Sequence, residues 1–210
     1  MTSTTRSLVR RAALVTTAVT AALALAACGS GDGSGSGTDT RTSSSAASAE
    51  RTAGAHNDAD VSFAQGMIPH HQQAVLMART AAARASSAEV KDLAARIEKA
   101  QDPEIETMSG WLASWGAKVP SAMPGMDHSG HAGMPGMMDG QDMDRLAKAS
   151  GADFDRMFLT MMAEHHEGAV EMATTEKTNG RYGPARKTAD DIITAQNAEI
   201  EEMNKLLGKS

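Results

Sequence analysis

The sequence predicts an all-α fold, a four-helix bundle built from two tandem helical hairpins. Residues 63–78 and 158–173 share one pattern at a constant offset of 95, which persists without a gap through 97–112 and 192–207. Duplication of a two-helix unit is the natural origin of such a match. Apolar positions in both copies recur at helical spacing, and period-two alternation is absent. The chain has 210 residues, 41% hydrophobic and 22% charged, as expected of a globular protein. Its single Cys excludes an intramolecular disulfide, a Cys-based zinc finger and an iron–sulfur cluster.

The first segment reads as an export signal. Arg6, Arg10 and Arg11 form a positive head, and Ala12 to Ala27 is an apolar run interrupted only by Thr. That run is short for a membrane span and suited to a signal peptide. It ends in Leu25-Ala26-Ala27-Cys28, which resembles a bacterial lipobox and implies cleavage before Cys28 with a diacylglycerol on its sulfur. The Arg10-Arg11 pair leaves Sec and twin-arginine export both open. Residues 1–27 are the expected signal peptide and 28–56 a lipidated Cys followed by a tether. The tether is rich in Gly, Ser, Thr and Ala and cannot bury enough apolar surface to fold. His56, at its end, reads as a solvated linker residue. Loss of the signal removes three Arg from a formal net charge of −6 and leaves −9, which argues against nucleic acid as a partner. The expected place is the extracytoplasmic face of the cell membrane, held there by lipid alone.

Residues 57–208 form the expected bundle domain. The spacing predicts helices at about 58–84, 87–115, 152–178 and 184–207, with a short one at about 141–149. Ser86-x-x-Glu89 has the form of a capping box for the second helix. Asn179-Gly180 and Gly183-Pro184 punctuate the second hairpin's turn. Pro69 and Pro103 fall inside predicted helices, where Pro costs about 3 kcal/mol, so a kink or a late start is expected at each. Their counterparts are Glu164 and Ala198. Trp111 and Trp115 lie one turn apart and read as the closure of one bundle end. A hairpin cannot bury its apolar stripe alone, but two packed face to face can.

The chemistry-bearing residues cluster. The first copy reads Met67-x-x-His70-His71 with Met77 further along the same stripe, and the second reads Met162-x-x-His165-His166 with Met172. Met108 and Met203 on the partner helices could add thioether sulfur. Gln101, Glu104, Gln196 and Glu199 could add oxygen or hold the imidazoles. Met at helical spacing is ordinarily gap-filling core. A doubled His pair on that stripe changes the reading, because four buried His without partners would be costly. The Met/His-rich linker at 116–140 is a second signal. It carries Met123, Met126, His128, His131, Met134, Met137 and Met138 among Gly and Pro, with no apolar period to explain them. The chain has no Glu-x-x-His of the di-iron bundles. Thioether with imidazole suits Cu(I), and imidazole also holds Cu(II).

Catalytic signatures are absent: there is no Gly-x-Ser-x-Gly, P-loop, Rossmann glycine pattern or His-Glu-x-x-His. Asp190-Asp191 and Glu201-Glu202 read as solvated helix faces. The doubled Met-x-x-His-His-x-x-Ala-x-x-Met, the doubled Gln-x-x-Glu-Ile-x-x-Met and the Met-Pro-Gly-Met linker resemble domain-of-unknown-function family 305 across about 58–208. The resemblance implies a ferritin-like bundle in an exported protein, often a lipoprotein, with some relatives tied to copper. By matching position it implies Met67, His70, His71, Met77, Met162, His165, His166 and Met172 as ligands. The expectation is a non-enzymatic metal-binding protein that sequesters or relays copper, with a copper-handling protein as its partner. The alternatives are an interaction module whose Met-rich arm binds an apolar groove, and a copper oxidoreductase.

Overall fold

The computed structural model describes residues 54–121 and 134–209. The signal peptide, Cys28, nearly all of the tether, and Met123, Met126, His128 and His131 lie outside the described residues. Among the described residues there are five helices: α1 (Asp58–Arg84), α2 (Ala88–Ser114), α3 (Gly140–Lys148), α4 (Gly151–Asn179) and α5 (Gly183–Leu206). Among the described residues none is long and apolar enough to cross a membrane. α1 packs on α2, α4 packs on α5, and α1 and α4 form the contact between the hairpins.

Local chemistry sets the helix starts. Asn57 caps α1 by accepting from the Ala59 and Asp60 amides at 3.1 Å, and Asp60 accepts in return from the Asn57 amide at 2.6 Å. This reciprocal box satisfies donors that the first turn leaves unpaired. α2 is capped by Ser87, whose hydroxyl accepts from Val90 N at 3.3 Å. The expected Ser86 cap is therefore one residue early. Ser86 instead gives its amide and hydroxyl to Asp155 on α4. Pro69 and Pro103 lie inside α1 and α2, and neither delays its helix. Pro69 is buried, so its ring adds packing where it removes a backbone donor.

The 95-residue symmetry extends to the turns. Asp155 on α4 accepts from the Ser86 and Ser87 amides of the α1–α2 turn at 3.0 and 2.9 Å. Its counterpart Asp60 on α1 accepts from the Arg181 and Tyr182 amides of the α4–α5 turn at 3.1 and 2.8 Å. Each hairpin thus holds the other's turn through one buried carboxylate. Such charge-assisted bonds are among the stronger ones available to a fold.

The core has two apolar halves. One gathers Ala74, Met77 and Ala81 of α1, Val90, Leu93 and Ile97 of α2, Leu146 of α3, Phe154, Phe158 and Met162 of α4, and Met203 of α5. The other gathers Phe63, Met67 and Ile68 of α1, Met108 and Leu112 of α2, Ala169 and Ala173 of α4, and Ala185, Ala189 and Ile192 of α5. At the second half's end Trp111 and Trp115 stack at 6.2 Å and meet Tyr182 edge-on at 5.6 and 5.2 Å. His56 is not a free linker residue: its ring stacks on Trp115 at 4.5 Å. An aromatic surface left open at the bundle end accounts for that placement.

Candidate metal centre

All four long helices change from one apolar half to the other at the same level. α1 does so at His70 and His71, α2 at Gln101 and Glu104, α4 at His165 and His166, and α5 at Gln196 and Glu199. These eight residues form a polar layer across the middle of the bundle. The four imidazoles are buried, none more than 1% exposed, and Gln101 and Gln196 are each 3% exposed.

The layer repeats the sequence symmetry. His71 Nε2 lies 2.7 Å from Glu104 Oε2, and His166 Nε2 lies 2.7 Å from Glu199 Oε2. Across the pseudo-twofold axis the His70 and His165 rings face each other with centroids 3.7 Å apart. A carboxylate only accepts, so Nε2 of His71 and of His166 donates, and in the neutral ring the lone pair falls on Nδ1. His70 Nε2 is 3.1 Å from the Pro135 carbonyl, which also only accepts, so its lone pair is again on Nδ1. The Nδ1 atoms of His70, His71 and His166, and both ring nitrogens of His165, are buried without a hydrogen-bond partner.

Burial keeps the central pair uncharged. It draws the His70 pKa down to about 3, helped by the neighbouring His71, against the Pro135 bond that favours the charged form. Burial, then His70, His166 and His71, hold His165 well below the usual imidazole range, against a contact with the His70 backbone that favours the charged form. Both rings therefore offer lone pairs at neutral pH, the state a metal ion requires. Five orphaned nitrogens fit a bound ion better than a structural role, since an unpaired buried polar atom costs about 1–3 kcal/mol. Among the described residues no three His, Cys, Asp or Glu side chains converge as a ready-made cage. The available donors are paired imidazoles with thioethers nearby, a set suited to soft ions of low coordination number.

The methionines divide between the two halves. Met67 and Met108 are buried in one, and Met77, Met162 and Met203 in the other. Met172 is half-buried against the first group. The sulfurs of Met172 and Met134 converge over Gly66, where a methyl group on that Cα would lie 3.6 and 3.8 Å from them. Met137 is half-buried, and Met138 packs on the half that holds Phe154 and Phe158. Glu104 and Glu199 each hold an imidazole, one of the two roles the sequence leaves open to them.

Three further residues, two beside the layer and one at the α4–α5 turn, carry no motif of their own. Gln73 donates to the Met138 carbonyl at 2.9 Å and accepts from the Met138 amide at 2.8 Å. Gly168 lies directly under the Pro135 carbonyl. Glu176 is buried beside Asp60. Burial and that neighbouring carboxyl push its pKa up to about 8, while Asp60 is held low, burial being outweighed by bonds from Tyr182, Asn57, Glu176 and Arg181. The offset of 95 gives a signal for all three, because Gln73 and Gly168 stand against each other and Glu176 stands against Ala81, where the copies differ.

The profile of the family described as Domain of unknown function (DUF305) matches residues 60–207. A DUF305 protein from Streptomyces coelicolor, described as secreted, is 34% identical, covering 72% of this chain and 93% of that one, with a TM-score of 0.64. CopM in a Cu(II)-bound form is 39% identical over 70% of this chain and 94% of that one, with a TM-score of 0.60, and Cu(I)-bound and Ag-bound forms of CopM match similarly. A DUF305 fragment from Deinococcus radiodurans is 27% identical, covering 75% of this chain and all of that one, with a TM-score of 0.65. No curated protein is significantly similar in sequence.

Proposed function

The chain belongs to the DUF305 family, and from that premise we infer that it binds copper as cargo, anchored by lipid outside the cytoplasmic membrane, to sequester or relay the ion. One observation carries the reading: the two repeats bring four neutral-capable imidazoles into one buried layer and leave five ring nitrogens unpartnered. Copper-bound and silver-bound forms of CopM, a structural relative, support a soft metal as the ligand. His70 and His165 face each other and form the heart of the site. Glu104 and Glu199 orient His71 and His166 from behind, which raises ligand basicity and fixes the ring. Cu(I) is the preferred state on the strength of the thioethers above and below the layer, with Cu(II) also accommodated by imidazole. The Met-rich linker delivers or receives the ion, and a copper-handling protein is its counterpart. Extracytoplasmic placement draws support from the secreted description of the Streptomyces relative and from the lipobox-like sequence at Cys28. The role is binding without catalysis.

Titration with Cu(I) against a competing chelator, with Zn(II) as control, tests this. Tight stoichiometric Cu(I) binding without matching Zn(II) binding is expected. The double variant His70→Ala, His165→Ala should weaken Cu(I) binding by at least a hundredfold, while Met123→Leu with Met126→Leu should leave the bundle site unchanged. Equal affinity in all these proteins would remove the histidine layer from the reading.

A further inference from the structure

The repeats agree at every position of the polar layer and disagree beside it. His70, His71, Gln101 and Glu104 recur as His165, His166, Gln196 and Glu199, but Gln73 recurs as Gly168 and Gly66 as Met161. All four of these differing residues bear on one feature, or stand opposite a residue that does. The segment Met134–Met138 crosses the bundle as a strap beside the histidines. On α1, Gln73 holds it with two hydrogen bonds to the Met138 backbone. On α4, Gly168 has no side chain, and the Pro135–Gly136 backbone lies against its Cα; a methyl group there would overlap the Pro135 carbonyl. Gly136 has φ +73°, and a Cβ on it would stand 2.7 and 2.8 Å from the Glu164 and His165 carbonyls. Gly66 leaves room for the sulfurs of Met134 and Met172. The two copies differ where the strap touches them, and those differences select the side on which it is seated.

The seat has a chemical consequence at the centre. Pro135 presents its carbonyl to His70 Nε2 at 3.1 Å, whereas neither nitrogen of His165 has a partner. We propose that Gln73 and Gly168 are positioning residues for the metal centre. Together they hold the strap so that the Pro135 carbonyl fixes His70 with its proton on Nε2 and its lone pair on Nδ1. Its symmetry mate His165 receives no carbonyl from the strap. One donor is preset by the strap and the other is not, so the two halves of a duplicated site are not equivalent. An outer hydrogen bond that sets the ring tautomer is a general means of tuning a metal-binding imidazole. The role assigned to the strap rests on the copper-binding reading; the tautomer itself does not.

The test is nitrogen-15 NMR of the imidazoles in the metal-free full chain, comparing the parent with Gly168→Ala and Gln73→Leu. Gly168→Ala places a better helix former inside α4, so the variant keeps its fold while its methyl displaces Pro135. Gln73→Leu releases the strap from the other helix at nearly constant volume. The parent should show His70 as the Nε2–H form. Both variants should show His70 as a mixture, while His71 and His166, held by Glu104 and Glu199, stay Nε2–H. A purely structural role for the strap would leave His70 unchanged in the folded variants, and that result overturns the proposal. In parallel, Cu(I) competition should show affinity ten- to a hundredfold weaker in both variants. A changed tautomer with unchanged affinity would also overturn the positioning role. Failure of the parent to bind Cu(I) would overturn the copper reading instead, and the metal-free NMR would still decide whether the strap sets His70.

Discussion

His165 is 1% exposed and has two ring nitrogens with no partner, while its duplicate His70 has one. In the metal-free protein this is a local cost, because desolvated donors and acceptors return nothing when unpaired. The expectation is a stability–function conflict at a single position. His165→Leu replaces the ring with an apolar side chain of similar bulk and gives up only its contact with the His70 backbone. It should raise the stability of the metal-free protein by about 1–2 kcal/mol. For a domain of this size that is a rise in Tm of roughly 2–8 °C. The same change should weaken Cu(I) binding by at least tenfold. Thermal melts with and without the ion check both signs. His166→Leu is the contrasting case: it leaves Glu199 unpaired inside the layer and should destabilise. The sequence pairs the right histidines, because the offset of 95 brings His70 to His165 and His71 to His166. It does not say which nitrogen faces the centre, because that follows from Glu104, Glu199 and Pro135, which are distant along the chain.

At the scale of helices and turns, the apolar period located all five elements within a residue. The cross-hairpin carboxylates were not legible in the same way. Asp60 and Asp155 stand at the repeat offset, but their partners Ser86–Ser87 and Arg181–Tyr182 share no residue type. Apart from the Ser86 hydroxyl, the bonds go to backbone amides, which every one of those residues supplies, so the side chains give little to mark them. Glu176 is a third acid at one of these junctions, opposite Ala81 in the other copy. Its folded pKa near 8 lies above its unfolded value of about 4.5, so the folded state binds more protons between the two. Stability is full below about pH 4.5 and is lost as pH rises through 8. Glu176→Gln keeps the shape, supplies an amide donor toward Asp60 and removes the titration. The variant should therefore gain on the parent as pH rises from 5 to 8, by about 1 kcal/mol per pH unit. Denaturant unfolding at pH 5, 6.5 and 8 checks the trend, and a constant difference across that range would contradict it.

For the molecule as a whole, acid acts through the histidine layer in the opposite sense. His70 and His165 have folded pKa values far below the 6.5 of the unfolded chain, His70 near 3. The unfolded state therefore takes up their protons first, and stability falls as pH drops below about 6.5. Each of the two contributes up to about 1.4 kcal/mol per pH unit. Glu176 gains stability toward low pH over part of this window, but one carboxyl opposes two imidazoles, so the net slope remains a loss. The metal-free protein should thus melt progressively lower from pH 6.5 to 4.5, and the double variant His70→Gln, His165→Leu should be nearly flat or rise slightly. On the proposed function, copper would change the outcome by favouring the folded form that holds its site. At a free concentration of a hundred times Kd it adds about 2.7 kcal/mol. An exposed histidine site would release the ion below about pH 6 as its rings protonate. The facing rings of His70 and His165 stay neutral well below that, so competition from protons for this pair begins only where the fold itself gives way. Cu(I) affinity measured at pH 7 and pH 5 beside circular dichroism should fall less than tenfold while helicity persists, and should collapse together with helicity below that. Loss of copper from a fully helical protein at pH 5.5 would show that the binding imidazoles are in contact with water, and would move the site out of the buried layer.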